Sequence, residues 1–158
     1  MSPRGAIHLA IAALALVSVA PLASCAHFVV LHDPLTASEH NDLGVAYEAQ
    51  GQLDLAAREY RHALKLDSRQ TRARVNLGNV EGARGRWRSA ETCYRRALAD
   101  SSTNLDAMNN LAVALLKQDR QLGEARALAE RAVAAGSGRD SLYRATLDEV
   151  KAGQRRRP

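Results

Sequence analysis

LGVAYEAQGQLDLAAREYRHALKL, residues 43–66, returns with changes as LGNVEGARGRWRSAETCYRRALAD, residues 77–100. The shift of 34 carries Leu43, Gly44, Ala56, Tyr60 and Ala63 onto Leu77, Gly78, Ala90, Tyr94 and Ala97. A second shift gives Leu111 and Ala112. Beyond Leu115 one extra residue is needed, after which Leu122, Ala125, Ala129 and Ala132 align with Leu53, Ala56, Tyr60 and Ala63. That slip falls where a turn is expected. Small residues recurring at fixed places let helices approach closely, and a unit that cannot bury its own apolar face must stack on its neighbours. The stack is expected to share one continuous core. Hydrophobic residues make up 46% of the chain and aromatics only 4%, so Ala, Leu and Val must fill it. Such a composition suits closely packed helices better than a β-sandwich.

With this period and these residue types, residues 37–137 closely resemble three copies of the tetratricopeptide repeat. The resemblance implies an all-α fold: a right-handed α-solenoid over residues 36–138, with repeats at about 37–70, 71–104 and 105–138. Helices are expected at 36–50, 53–67, 71–84, 87–100, 105–118 and 123–135. Thr36 or Ser38 would cap the first, Gly51 and Gly85 would break the pairs, and Gly136 and Gly138 would close the third. Residues 139–153 read as a capping helix whose stripe is Leu142, Tyr143, Leu147 and Val150. Residues 154–158 read as a basic disordered tail. Departures from the family are visible. His40, Arg74 and Met108 stand where Trp is usual, Glu81 where Tyr is usual, and Ser68, Ser102 and Ser137 where Pro is usual.

In this family the first helix of each pair lines the concave face. Asn41, Asn76, Asn79, Asn109 and Asn110 lie on those helices and are the candidate peptide-binding residues, since an amide both donates and accepts. Asn76 and Asn110 also match a position the family uses for interhelical packing, so packing is their first reading and Asn41, Asn79 and Asn109 are the better candidates for binding. The positions that match the carboxylate clamp of chaperone adaptors are Asn41, Val45, Asn76, Asp106 and Asn110, which lack the paired cations such a clamp needs. Arg72, Arg74, Arg84, Arg86, Arg88, Arg95 and Arg96, with Arg155 to Arg157, form a basic cluster in a chain of net charge +5. A solvated face is the ordinary meaning of such charges, and attraction to anionic headgroups or an acidic partner the second.

Residues 1–24 read as a leader: Arg4, then an apolar run from Ala6 to Ala20, too short for a bilayer span. Leu22-Ala23-Ser24-Cys25 resembles a bacterial lipobox. That resemblance implies cleavage before Cys25, acylation on its sulfur and new amino group, and a lipid-anchored tether over 25–35. Plain secretion with cleavage near Ala23 and an uncleaved helical anchor are the other readings. Ala26 in place of Asp favours, by the enterobacterial sorting rule, the outer membrane facing the periplasm. His8, His27, His32, His40 and His62 show no metal-ligand spacing, and Cys93 reads as a buried structural thiol, so no catalytic set, metal or cofactor is expected apart from the lipid on Cys25. Few aromatics and an exported location argue against nucleic acid, and nothing calls for a small-molecule substrate.

The expected role is a non-enzymatic scaffold or assembly factor that binds another envelope protein or peptide. The alternative is an accessory, substrate-presenting subunit of an envelope peptidase or cell-wall enzyme. Changing Cys25 to Ala should release the protein from membranes and abolish acyl labelling. Continued membrane residence with an intact leader would instead favour the uncleaved anchor.

Overall fold

The computed structural model describes residues 33–136 and 140–156. The leader, Cys25 and the tether up to residue 32 lie outside those residues, as do Ser137, Gly138 and Arg157. Seven helices and no strand make up the described chain: α1 (Ala37–Ala49), α2 (Leu53–Leu66), α3 (Thr71–Ala83), α4 (Trp87–Asp100), α5 (Leu105–Lys117), α6 (Leu122–Ala135) and α7 (Asp140–Arg155).

Local chemistry sets the ends. Thr36 opens α1 with a capping box: its hydroxyl accepts from the Glu39 N–H at 3.3 Å, and Glu39 Oε2 accepts from the Thr36 N–H at 2.7 Å. The first two hairpins turn through Gly51 and Gly85, both at φ +72, where a side chain would be strained. In the third hairpin the extra residue sits in the turn, as the slipped repeat required. Gln118 to Gln121 replace a three-residue link, and Asp119 and Gln121 take the left-handed backbone at φ 50 and 47 without glycine. Gly136 ends α6 in extended backbone and not in the left-handed one.

Close approach within each hairpin comes from one pairing. A Cβ on Gly44 would stand 2.5 Å from Tyr60 Cε1, and one on Gly78 would stand 2.5 Å from Tyr94 Cε1. The second helix therefore lays its tyrosine ring against bare backbone of the first. Each ring also reaches back by its hydroxyl, Tyr60 to Glu48 Oε2 at 2.7 Å and Tyr94 to Asn79 Oδ1 at 2.9 Å. In the third repeat the aligned residues are Ala112 and Ala129, both fully buried, and the smaller partner leaves room for the Cβ. Ala56, Ala63, Ala90, Ala97, Ala125 and Ala132 are also fully buried. Leu77, Leu111 and Leu122 are buried beside them, and Leu43 is half-buried.

The core is not continuous as expected. Buried apolar side chains form two clusters: Ala56, Ala57, Tyr60, Leu77 and Val80 in one, and Val75 with residues of α4 to α7 in the other. Both draw on α3, where a charged residue, Glu81, is itself buried. The capping helix also differs from its sequence pattern. Tyr143, Thr146, Leu147 and Val150 face the array, while Leu142 is 54% exposed. The helix runs through Gln154 and Arg155, part of the expected tail, with Gln154 Nε2 donating to the Leu122 carbonyl at 3.0 Å.

The Gly78–Tyr94 contact predicts a specific coupling. Gly78→Ala should destabilise by about 1 to 3 kcal/mol through overpacking. Adding Tyr94→Leu should make the loss smaller than the sum of the two single losses, because the ring that clashes is gone. Urea unfolding of the three variants checks this, and strict additivity would show that the clash is relieved elsewhere.

Candidate functional site

The first helices of the repeats lie side by side, α1 against α3 and α3 against α5, with α7 packed on α5 and α6. Between them opens a groove of about 450 Å³ lined by Arg72, Val75, Asn76, Asn79, Asn104, Asp106, Asn110 and Leu142. Two amide pairs link these first helices. Asn76 Nδ2 donates to Asn41 Oδ1 at 3.0 Å, linking α3 to α1, and Asn110 Nδ2 donates to Asn79 Oδ1 at 2.9 Å, linking α5 to α3.

The five sequence-predicted asparagines are thus brought together but placed differently. Asn76, Asn79 and Asn110 are half-buried and line the groove. Asn41 and Asn109 are buried, at 1% and 3% exposure, and are not among its lining residues. Asn109 Nδ2 donates to Asn110 Oδ1 at 3.2 Å, so it orients a lining residue from behind. Sequence reasoning missed Asn104, which caps α5 by accepting from the Ala107 N–H, and Leu142, which the helical stripe had assigned to the core. Asp106 and Arg72 had been noted for other roles. Asp106 Oδ1 accepts from the Tyr143 hydroxyl at 3.0 Å, which ties α7 to one end of the groove. Arg72 is exposed at the rim, 3.9 Å from Asp42. One cation and one acid make this a polar groove with little net charge.

Five arginines of the cluster, Arg72, Arg74, Arg84, Arg86 and Arg95, form ion pairs between helices. Glu81 of α3 accepts from Arg61 of α2 at 2.7 Å and from Arg86 at the start of α4. Arg74 lies 3.3 Å from Asp100 and donates to the Ser68 carbonyl, and Arg84 pairs with Asp54. Arg95 of α4 bridges Glu91, at 3.0 Å, and Glu124 of α6, at 2.6 Å. The hydrogen bond from Arg95 holds Glu124 below the ordinary carboxyl value. At Glu91, burial opposes ionisation, but hydrogen bonds from Gln118 and Arg95 outweigh it. Cys93 is half-buried beside the first core cluster, and burial pushes its thiol up, away from the reactive thiolate.

A second cluster lies at the start of the first hairpin. Asp33, His40 and His62 place one ligand atom each within 4.8 Å of the others. His40 Nδ1 is 2.9 Å from Glu59 Oε2, and the two imidazole centroids are 5.2 Å apart. Sequence spacing hid this group, because its members come from the chain before α1, from α1 and from α2.

Stacked helix–turn–helix units with a groove along their first helices define an α-solenoid of repeats. Sequence profiles of one family, the tetratricopeptide repeat, match residues 37–69 and 75–140. The chain belongs to that family. Solved structures agree in fold. The first tetratricopeptide repeat domain of Spaghetti (RPAP3), bound to an HSP90 peptide, superposes with TM-score 0.68 at 18% identity, over 75% of this chain and 93% of that one. YrrB, described as having an unusual peptide-binding site, gives 0.67 at 24%, over 75% and 60%. The type III secretion translocator chaperone SycD of Yersinia enterocolitica gives 0.67 at 18%, over 75% and 93%. No curated protein matches the chain by sequence.

The shifted carboxyls set the acid response. Glu39, Glu59, Glu91 and Glu124 are each held below their ordinary value of 4.5. A folded value below the unfolded one stabilises above the unfolded value and is lost as pH falls through the folded one. The urea midpoint should therefore hold down to about pH 4.5 and fall below it. Glu124→Gln should remove part of that fall, a small part, because exposed pairs contribute only about 0 to 1 kcal/mol. A midpoint that rose on acidification would contradict the assignment.

Proposed function

We propose that the protein is a non-catalytic scaffold that holds an extended segment of another polypeptide in the groove of α3, α5 and α7. The observation that carries this reading is the row of amides at Asn76, Asn79 and Asn110 along an open groove of about 450 Å³. Asn110 and Tyr94 use the Asn79 carbonyl oxygen, and Asn41 uses the Asn76 amide nitrogen. Among the described residues this leaves Asn79 Nδ2 and Asn76 Oδ1 without a bond, one donor and one acceptor for a peptide backbone. Backbone recognition of this kind tolerates varied side chains and gains selectivity from flanking contacts, here the Leu142 side chain and the Arg72 charge.

The HSP90-peptide complex of a protein of similar fold supports peptide capture in general. The ligand chemistry differs in this groove: Asp106 and neutral amides stand where a terminal carboxylate would need cations. The partner segment is internal or neutral. With the lipobox-like leader, the favoured setting is a lipid-anchored assembly factor of the bacterial envelope, attached through Cys25 and probed by the substitution given above.

Arg72→Ala with Leu142→Ala alters two exposed rim residues and leaves the core intact. The pair should weaken capture of the co-purifying partner from detergent-solubilised membranes at least tenfold, with an unchanged thermal midpoint. Full capture by the double variant would move the binding surface elsewhere.

A further inference from the structure

We propose that Asp33, His40 and His62 form a binding site for one divalent transition-metal ion of the zinc class, with Glu59 orienting His40 from behind.

His40 is 2% exposed, and its Nδ1 faces Glu59 Oε2 at 2.9 Å. A carboxylate in that place takes the Nδ1 proton as a hydrogen bond and leaves the lone pair at Nε2, the arrangement that precedes metal ligation in carboxylate–histidine–zinc sets. Nε2 is buried and makes no hydrogen bond, although Asp33 Oδ2 lies only 3.2 Å away. A bare lone pair against an anionic oxygen is repulsive unless a cation stands between them. A proton would serve two donors at most, yet a third donor converges: His62 Nδ1 is 3.9 Å from the same Asp33 oxygen.

The dimensions suit such an ion. Metal–nitrogen and metal–oxygen bonds of about 2.0 to 2.2 Å in a tetrahedron separate the donors by about 3.4 Å, close to these spacings. Two imidazoles and a carboxylate favour zinc, copper or nickel over calcium and magnesium, which prefer all-oxygen shells. Asp33 and His62 are each about half exposed, 47% and 49% by side chain, so small movements can close the ligand set. The fourth position is left to water or to a donor from a partner. Bound metal would pin the segment before α1 to the α1–α2 hairpin.

The test uses the full-length chain with Cys25→Ser and Cys93→Ser, so that no thiol contributes. Zinc titration by calorimetry at neutral pH should give one ion per chain, and cobalt(II) should give the visible bands of a four-coordinate site. His62→Ala and Asp33→Asn, both at half-exposed positions, should each weaken zinc at least tenfold with helicity unchanged. Glu59→Gln should weaken it about 10- to 100-fold, the effect of removing a carboxylate behind a ligating histidine. Zinc affinity indifferent to His62→Ala and Asp33→Asn, or no binding at all, would overturn the proposal and leave His40 as a buried ion-pair partner of Glu59.

Discussion

The first two hairpins of this array rest on the contact between a tyrosine ring and a helix position with no side chain. At Gly44 and Gly78 the missing Cβ would lie 2.5 Å from the ring, well inside contact distance, so the hairpin closes only because that atom is absent. Packing at this density tolerates no added methyl without a shift elsewhere. Once each hairpin is closed, its buried alanines present a shallow face to the next repeat, and the stack follows. The third hairpin has no such ring: the aligned residues are Ala112 and Ala129, both fully buried.

The family's tryptophan positions show how an aromatic-poor chain fills such an interface. Met108 fills the space with a buried apolar chain, while His40 and Arg74 fill it with polar groups that bring partners, Glu59 for one and Asp100 with the Ser68 carbonyl for the other. Glu81, in place of a tyrosine, is buried with two arginines from flanking helices. Burying an ion costs several kcal/mol unless it is paired, so each of these substitutions requires its partners to be in place. The ion pairs also tie neighbouring helices at defined points.

The repeat frame was legible in the sequence because it depends on side-chain size at a fixed interval, and size is read directly from residue type. The turn insertion was legible for the same reason: a slip of one residue at Gln118–Gln121 can be counted. What the sequence concealed depends on contact between distant segments. Leu142 belongs to an apolar stripe by spacing, yet Tyr143, Thr146, Leu147 and Val150 define the buried face, and a helix face about 100° wide leaves Leu142 outside it. The arginines formed a cluster along the chain, but their partners, Asp54, Glu81, Asp100 and Glu124, lie on other helices. His40 and His62 are 22 positions apart, and only the antiparallel return of α2 against α1 brings their rings together.

The asparagines show why packing and binding need not compete. A side-chain amide carries its acceptor oxygen and donor nitrogen at the two arms of one planar group, so a bond to the neighbouring helix fixes its orientation without exhausting its capacity. Asn110 fixes Asn79 by its oxygen, and Asn41 fixes Asn76 by its nitrogen. The bonds that stitch α3 to its neighbours therefore leave a donor and an acceptor on residues that line the groove. A preoriented pair loses little rotamer freedom when a peptide arrives, which is how a groove with almost no net charge can still hold a polypeptide backbone.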